Sequence, residues 1–225
     1  MPSYRTLCAA VAGACIVCAV LTYAGPKDFW VIKPYTAWTA DEVEKILKKN
    51  SPWTHVLLLV PSEGGGGGRS SGRDPKPSYS TPIYITWNSR IVREALVRKA
   101  MLESPATPKE ETDKVLNYQP PRIEIFVNGP VLGGGRGAGQ AGDLATFKDK
   151  TFLQKKNKEK IPVADLVTQG GRGGSLTLLF PREVDGKATV TSEDKEITLV
   201  IRIGENDYKF TFKYANMTVN GKVEV

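Results

Sequence analysis

Cysteine is confined to the start of this chain. The 225 residues hold three, Cys8, Cys15 and Cys18. Nothing after residue 18 can therefore form a disulfide, offer a thiolate to a metal or act as a cysteine nucleophile. Histidine is scarcer still: His55 is the only one, near the start of the apolar run THVLLLV. A Ser-His-Asp triad would depend on that residue, and no G-x-S-x-G elbow accompanies it. A zinc site beyond the N-terminus would have one imidazole and no thiolate. The two GK pairs, at 186–187 and 221–222, sit in turn-like sequence and lack P-loop spacing. The expectation is a protein with no metal site, no cofactor and no recognisable catalytic residue.

Long apolar runs are also absent, with one exception. After Arg5, residues 6–24 (TLCAAVAGACIVCAVLTYA) carry no charge, and the next charged side chain is Lys27. A basic start followed by an apolar run is the pattern of an export signal, with small residues before Gly25 suited to cleavage. Leu7 to Ala24 is also long enough to stay in a bilayer as an anchor. VAGAC, ending at Cys15, loosely resembles a lipobox, which would make Cys15 a lipidation site. In each case the bulk of the chain lies outside the cytoplasm. Residues 1–25 thus read as signal peptide or membrane anchor, and 26–225 as one exported domain. A net charge of +7, with 40% hydrophobic and 24% charged residues, suits a folded domain of that size.

The domain begins with KDFWVIKPY, read as a short extended stretch. In TADEVEKILKKN, Thr39 and Glu42 form a capping box, and Val43, Ile46 and Leu47 make an apolar face. THVLLLV, 54–60, reads as a buried strand, and PIYITW, 82–87, as another. SRIVREALVRKAML has Ser89 as N-cap and an apolar stripe at Ile91, Ala95, Leu96 and Met101. TPKEETDKVLNY repeats the helix grammar with Thr107 as cap, Pro108 in the first turn and Glu110 as its partner. RIEIFVN alternates like a strand, while DLATFKDKTFLQKKNKEK fits either a short helix or a strand. From there strands alone are expected: IPVADLV, SLTLLFP, EITLVIRI, YKFTFKY, MTV and KVEV, with hairpin signals at GEND and NG. The fold class is α+β: two or three short helices on a mainly antiparallel sheet, with a C-terminal β-meander.

Three glycine-rich stretches, 61–81, 129–143 and 169–174, interrupt this order as flexible loops. The second spells GxGxxG at Gly137, Gly139 and Gly142. A dinucleotide loop needs a buried parallel strand before it and a helix N-terminus directly behind it. RIEIFVN carries Arg122 and Glu124, extra residues intervene, and the segment behind is a poor helix former. A stretch this rich in glycine matches the motif by composition. Each loop also sets arginine among glycines, but with too few arginines and no interleaved aromatics to make nucleic acid the expected partner. The lysines at 155, 156, 158 and 160 read as a solvated loop.

Trp38, Trp53 and Trp87 each stand at the border of a predicted element, where aromatics lock elements together. A ligand platform built from Trp53, Trp87 and Arg93 is the alternative reading. The pattern W-T-x-x-E-V-x-K-I-L from Trp38, then SPW, then W-x-S-x-x-x-R-x-A from Trp87, resembles a family of uncharacterised bacterial exported proteins. The ending MTVNGKVEV is similar to that family's ending as well. The resemblance implies export and a shared α+β domain, and it carries over no catalytic residue. The leading expectation is a non-enzymatic cell-envelope protein, an accessory or structural subunit working through protein–protein contacts. Its partners would be a membrane complex and, through the N-terminal segment, the membrane, with a C-terminal strand edge open to addition. The alternatives are a periplasmic ligand-binding protein using the Trp53–Trp87–Arg93 cleft, and a hydrolase built on two facing carboxylates.

Overall fold

A computed structural model describes residues 28–59, 82–129, 144–169, 175–203 and 206–225. The three glycine stretches fall almost wholly outside these residues, as do residues 6–24 with Cys15. The chain divides into two compact units, Met1–Pro34 and Tyr35–Val225. In the first, Phe29–Ile32 is one turn of helix, α1, where sequence pattern suggests extended chain. Phe29 and Trp30 pack edge to face with ring centroids 4.8 Å apart, and the following Pro34 cannot extend the turn.

The second unit is α+β. Its helices are α2 (Ala40–Leu47), α3 (Arg90–Glu103), α4 (Lys109–Asn117) and α5 (Leu144–Lys150). Its main strands are β1 (Thr54–Leu58), β2 (Pro82–Trp87), β3 (Ile123–Asn128), β4 (Phe152–Lys155), β5 (Lys160–Pro162), β6 (Asp165–Gln169) and β7 (Ser175–Phe180). The short pair β8 (Glu183–Val184) and β9 (Lys187–Ala188) follows, then β10 (Glu196–Ile203), β11 (Asn206–Lys213), β12 (Thr218–Val219) and β13 (Lys222–Val223). Two antiparallel sheets replace the single sheet expected: β1-β2-β3-β7-β6, and β11-β10-β4-β5. IPVADLV, read as one strand, is divided between them as β5 and β6.

Register explains the core. His55 pairs with Ile85, Ile85 with Val127 and Val127 with Leu176, so these side chains share a face. That face also carries Ile83, Trp87, Ile125, Leu178 and Phe180, all at most 1% exposed. On the second sheet Leu199 pairs with Phe210 and with Leu153, and Leu153 with Ile161. Ring contacts join the two faces: Phe212 lies 5.2 Å from Trp87 and 4.8 Å from His55. Burying two such faces against each other is the main stabilising term, at roughly 25 cal/mol per Å² of apolar area.

Each helix has a local cause and a tertiary boundary. In α2 both halves of the capping box are made: Glu42 N–H donates to Thr39 Oγ1 at 3.3 Å, and Thr39 N–H to Glu42 Oε2 at 2.9 Å. Val43 and Ile46 are buried, as expected, while Leu47 is half-buried. In α3 Ser89 accepts from Val92 N–H, but the buried positions are Ile91, Val92, Ala95 and Val97. Leu96, placed on the predicted stripe, is 39% exposed and Met101 only half-buried, because α3 must meet both the sheet and its neighbouring helices. Thr107 does not cap α4: its hydroxyl donates back to Ser104 O, and Pro108 takes the cap position.

β1 is shorter and more open than its sequence suggests. It is an edge strand with Leu58 58% exposed. The ambiguous segment is helix and then strand, α5 followed by β4. Gly129 closes β3 at φ +139°, and a Cβ there would fall 2.9 Å from Pro82 O, so this first glycine of its stretch is required for close approach. The NG turn is as read: Asn220 and Gly221 both have positive φ, the signature of a type I′ hairpin.

Candidate functional site

One groove of about 660 Å³ gathers residues that are far apart in the chain. Its walls come from the start of α3, the link between α4 and β3, Arg182 after β7, and the β12–β13 hairpin with the residues behind it. The hairpin is pinned in place from below: Trp53 Nε1–H donates to Glu224 O at 3.3 Å, and Glu224 N–H to Met217 O at 3.0 Å.

Four cations line it, Arg90, Arg93, Arg182 and Lys222, against one carboxylate side chain, Glu224. Arg90 is held by Glu224 at 3.3 Å and by Glu94 at 2.7 Å. Arg182 donates its Nε–H to Pro120 O at 3.0 Å, leaving the rest of its fork open to the groove. Glu124 beside the groove is already occupied, since Asn88 Nδ2–H and Tyr118 O–H donate to its two oxygens at 2.6 and 2.7 Å. That bond to Glu124 is the main reason the Tyr118 hydroxyl is held above its ordinary value.

Arg93 is the group left without full satisfaction. It reaches Asn88 Oδ1 at 3.5 Å, while its buried Nε–H has no partner. Burial pushes its guanidinium below the ordinary arginine range; Glu224 and Glu124 push it back up, and Arg182 and Arg90 push it further down. Burying such a donor unpaired is costly, and a carboxylate that meets the rest of the guanidinium would offset part of that cost.

The predicted residues are therefore separated. Trp53 and Trp87 are 0% and 1% exposed, so their ring faces are not available for stacking: they are core, and Trp53 meets the groove's hairpin through a hydrogen bond to Glu224 O. Trp38 is equally buried, with its carbonyl accepting from Arg98 Nε–H. Arg93 alone of the three proposed contacts lines the groove. Arg90, Arg182, Asn88 and Tyr118 were missed because their partners lie 36 to 134 residues away or in another element. The only sequence signal was the shared R-I-V-R spacing behind the Ser89 cap.

The GxGxxG reading fails on topology. β3 is antiparallel to both neighbours, and the strand after α5 belongs to the other sheet. A helix does start at Leu144, contrary to the expectation that none would stand behind the glycines; Gly137 to Gly142 themselves lie outside the described residues. The lysine cluster is partly engaged: Lys155 lies 3.7 and 3.8 Å from Glu159 and Asp194, and Lys160 covers the Phe152 ring at 4.4 Å. Among the described residues no group of three His, Cys, Asp or Glu could hold a metal ion, and no helix is long and apolar enough to cross a membrane. No family model, curated protein or solved structure matches the chain.

Proposed function

We propose that this is a non-enzymatic cell-envelope protein whose working surface is the arginine-lined groove, where it holds an anionic group of a partner. The observation that carries the reading is Arg93, half-buried at the groove wall with an unpaired Nε–H and three further cations around it. An open, mostly polar groove of this kind suits recognition of a segment better than enclosure of a small substrate. Export rests on the apolar run at residues 6–24 and on the family resemblance, and it places the groove outside the cytoplasm. The accessory-subunit role pairs the binding surface with the membrane contact that a retained N-terminal segment would give.

A second reading has one specific support. Glu94 and Glu224 share Arg90, and burial, with help from the Glu224 charge, holds the Glu94 carboxyl above its usual range while Arg90 opposes this. A raised carboxylic acid near a second carboxylate is the pairing hydrolysis needs. Glu94 is not among the groove-lining residues, which favours binding over catalysis.

The test places a photo-crosslinking side chain at Gln119, exposed on the groove rim, in living cells. A discrete adduct in the envelope fraction that disappears in Arg93→Gln is the expected result. Recovery of the chain in the cytosol, or adducts indifferent to Arg93→Gln, would overturn the reading.

A further inference from the structure

We infer that the groove's ligand is an acidic, extended peptide segment, with a side-chain carboxylate seated between Arg93 and Arg182 and an apolar neighbour on the ledge formed by Leu116, Pro121 and Val223. The inference rests on the groove being the binding surface and adds the chemistry of what it binds.

Three observations choose carboxylate on a peptide over other anions. First, the groove is not uniformly basic. Glu224 lines it, and the Glu124 carboxylate stands beside Arg93 through Asn88. A phosphate dianion would meet both negative charges with twice the repulsion, whereas a single carboxylate loses less and still satisfies the guanidinium fork. Second, the cations are unequally engaged. Arg182 is held through its Nε–H alone and Arg93 by one long hydrogen bond, while Arg90 is engaged by Glu94 and Glu224 and Lys222 stands on the hairpin. That inequality suits one firmly held charge with weaker attraction beyond it. Third, apolar side chains line the same groove: Leu116 and Val223 are half-buried and Pro121 is exposed. A free inorganic anion leaves that surface wet, while a peptide covers it.

Arg93 is the specificity-determining contact, because its guanidinium lines the groove half-buried and is held only by a long hydrogen bond to Asn88 Oδ1 at 3.5 Å. Arg182 is exposed and contributes attraction that salt screens.

The experiment uses the full chain in mild detergent and the anisotropy of a fluorescein-labelled hexapeptide alternating glutamate and valine. The expected result is binding at least about tenfold tighter than to the matching glutamine–valine peptide. Arg93→Lys keeps the charge but loses the fork, and should weaken the glutamate peptide by about tenfold. Inorganic phosphate should displace the peptide no better than chloride at matched ionic strength, and free glutarate should need a far higher concentration than the peptide itself. Equal binding of the two peptides, indifference to Arg93→Lys, or ready displacement by glutarate overturns the acidic-peptide inference. Phosphate binding that depends on Arg93 also overturns it, yet leaves the groove an anion site. If no anion binds in an Arg93-dependent way, the proposed function falls with it.

Discussion

Trp87 and Arg93 are six residues apart, yet they belong to opposite regimes. Trp87 enters the sandwich between the two sheets, against Phe212, with nothing of its ring exposed to water. Arg93 leaves the same strand–helix corner on the other side and lines an open groove with its charge partly desolvated. Ser89 between them sets the division. Its cap starts α3, and the helix then turns Ile91, Val92 and Ala95 inward while Arg90 and Arg93 reach the groove. The core side is made of groups that gain by leaving water. The groove side holds a half-buried guanidinium among three other cations.

This contrast breaks most sharply at Trp53, which belongs to both regions. Trp53→Ala should cost about 3–5 kcal/mol in urea unfolding, because it opens a cavity and frees the Glu224 carbonyl. Wild-type-like stability would show that the indole is not the pin of the groove floor. A pH-dependent loss comes next, at His55, where burial pushes the imidazole down and Nε2 has no partner between the sheets. The unfolded chain then takes the proton first. This contribution is complete above the ordinary histidine value of about 6.5 and is lost as pH falls through the lower folded value. The difference in stability between wild type and His55→Leu, followed from pH 8 to 5, should therefore shrink or reverse toward acid; a flat difference would contradict this.

Smaller effects test whether periphery and groove are decoupled from the core. Thr39→Ala removes a complete capping box and should cost about 1 kcal/mol, read as a shift in the thermal midpoint. Arg182→Ala, on an exposed side chain, should change stability by no more than about 0.5 kcal/mol while weakening binding of the acidic peptide. A large loss of stability there would place Arg182 in the scaffold and not in the groove.

Features carried by short-range chemistry were readable before any coordinates. Thr39 with Glu42, Ser89 with Val92 and Asn220-Gly221 all act within three residues, and each is made as its sequence implies. PIYITW and EITLVIRI are strands with the bounds their alternation suggests. Reading failed where two remote elements compete for one segment. IPVADLV alternates smoothly, but Pro162 and Asp165 end up in different sheets because each sheet offers an edge at that point. Thr107 has a cap's chemistry, yet the Ser104 carbonyl is nearer.

The sequence by itself determined the α+β class, the capped starts of α2 and α3 and the hairpin-rich C-terminal third. It also confined cysteine to the first eighteen residues, which excludes thiolate chemistry beyond them. These follow from composition and from interactions between close neighbours. Only the tertiary structure decided that the tryptophans are core and that Arg90, Arg93, Arg182 and Lys222 share a groove. Burial and charge proximity depend on which distant strands pair, and that is set by the packing of two whole sheets.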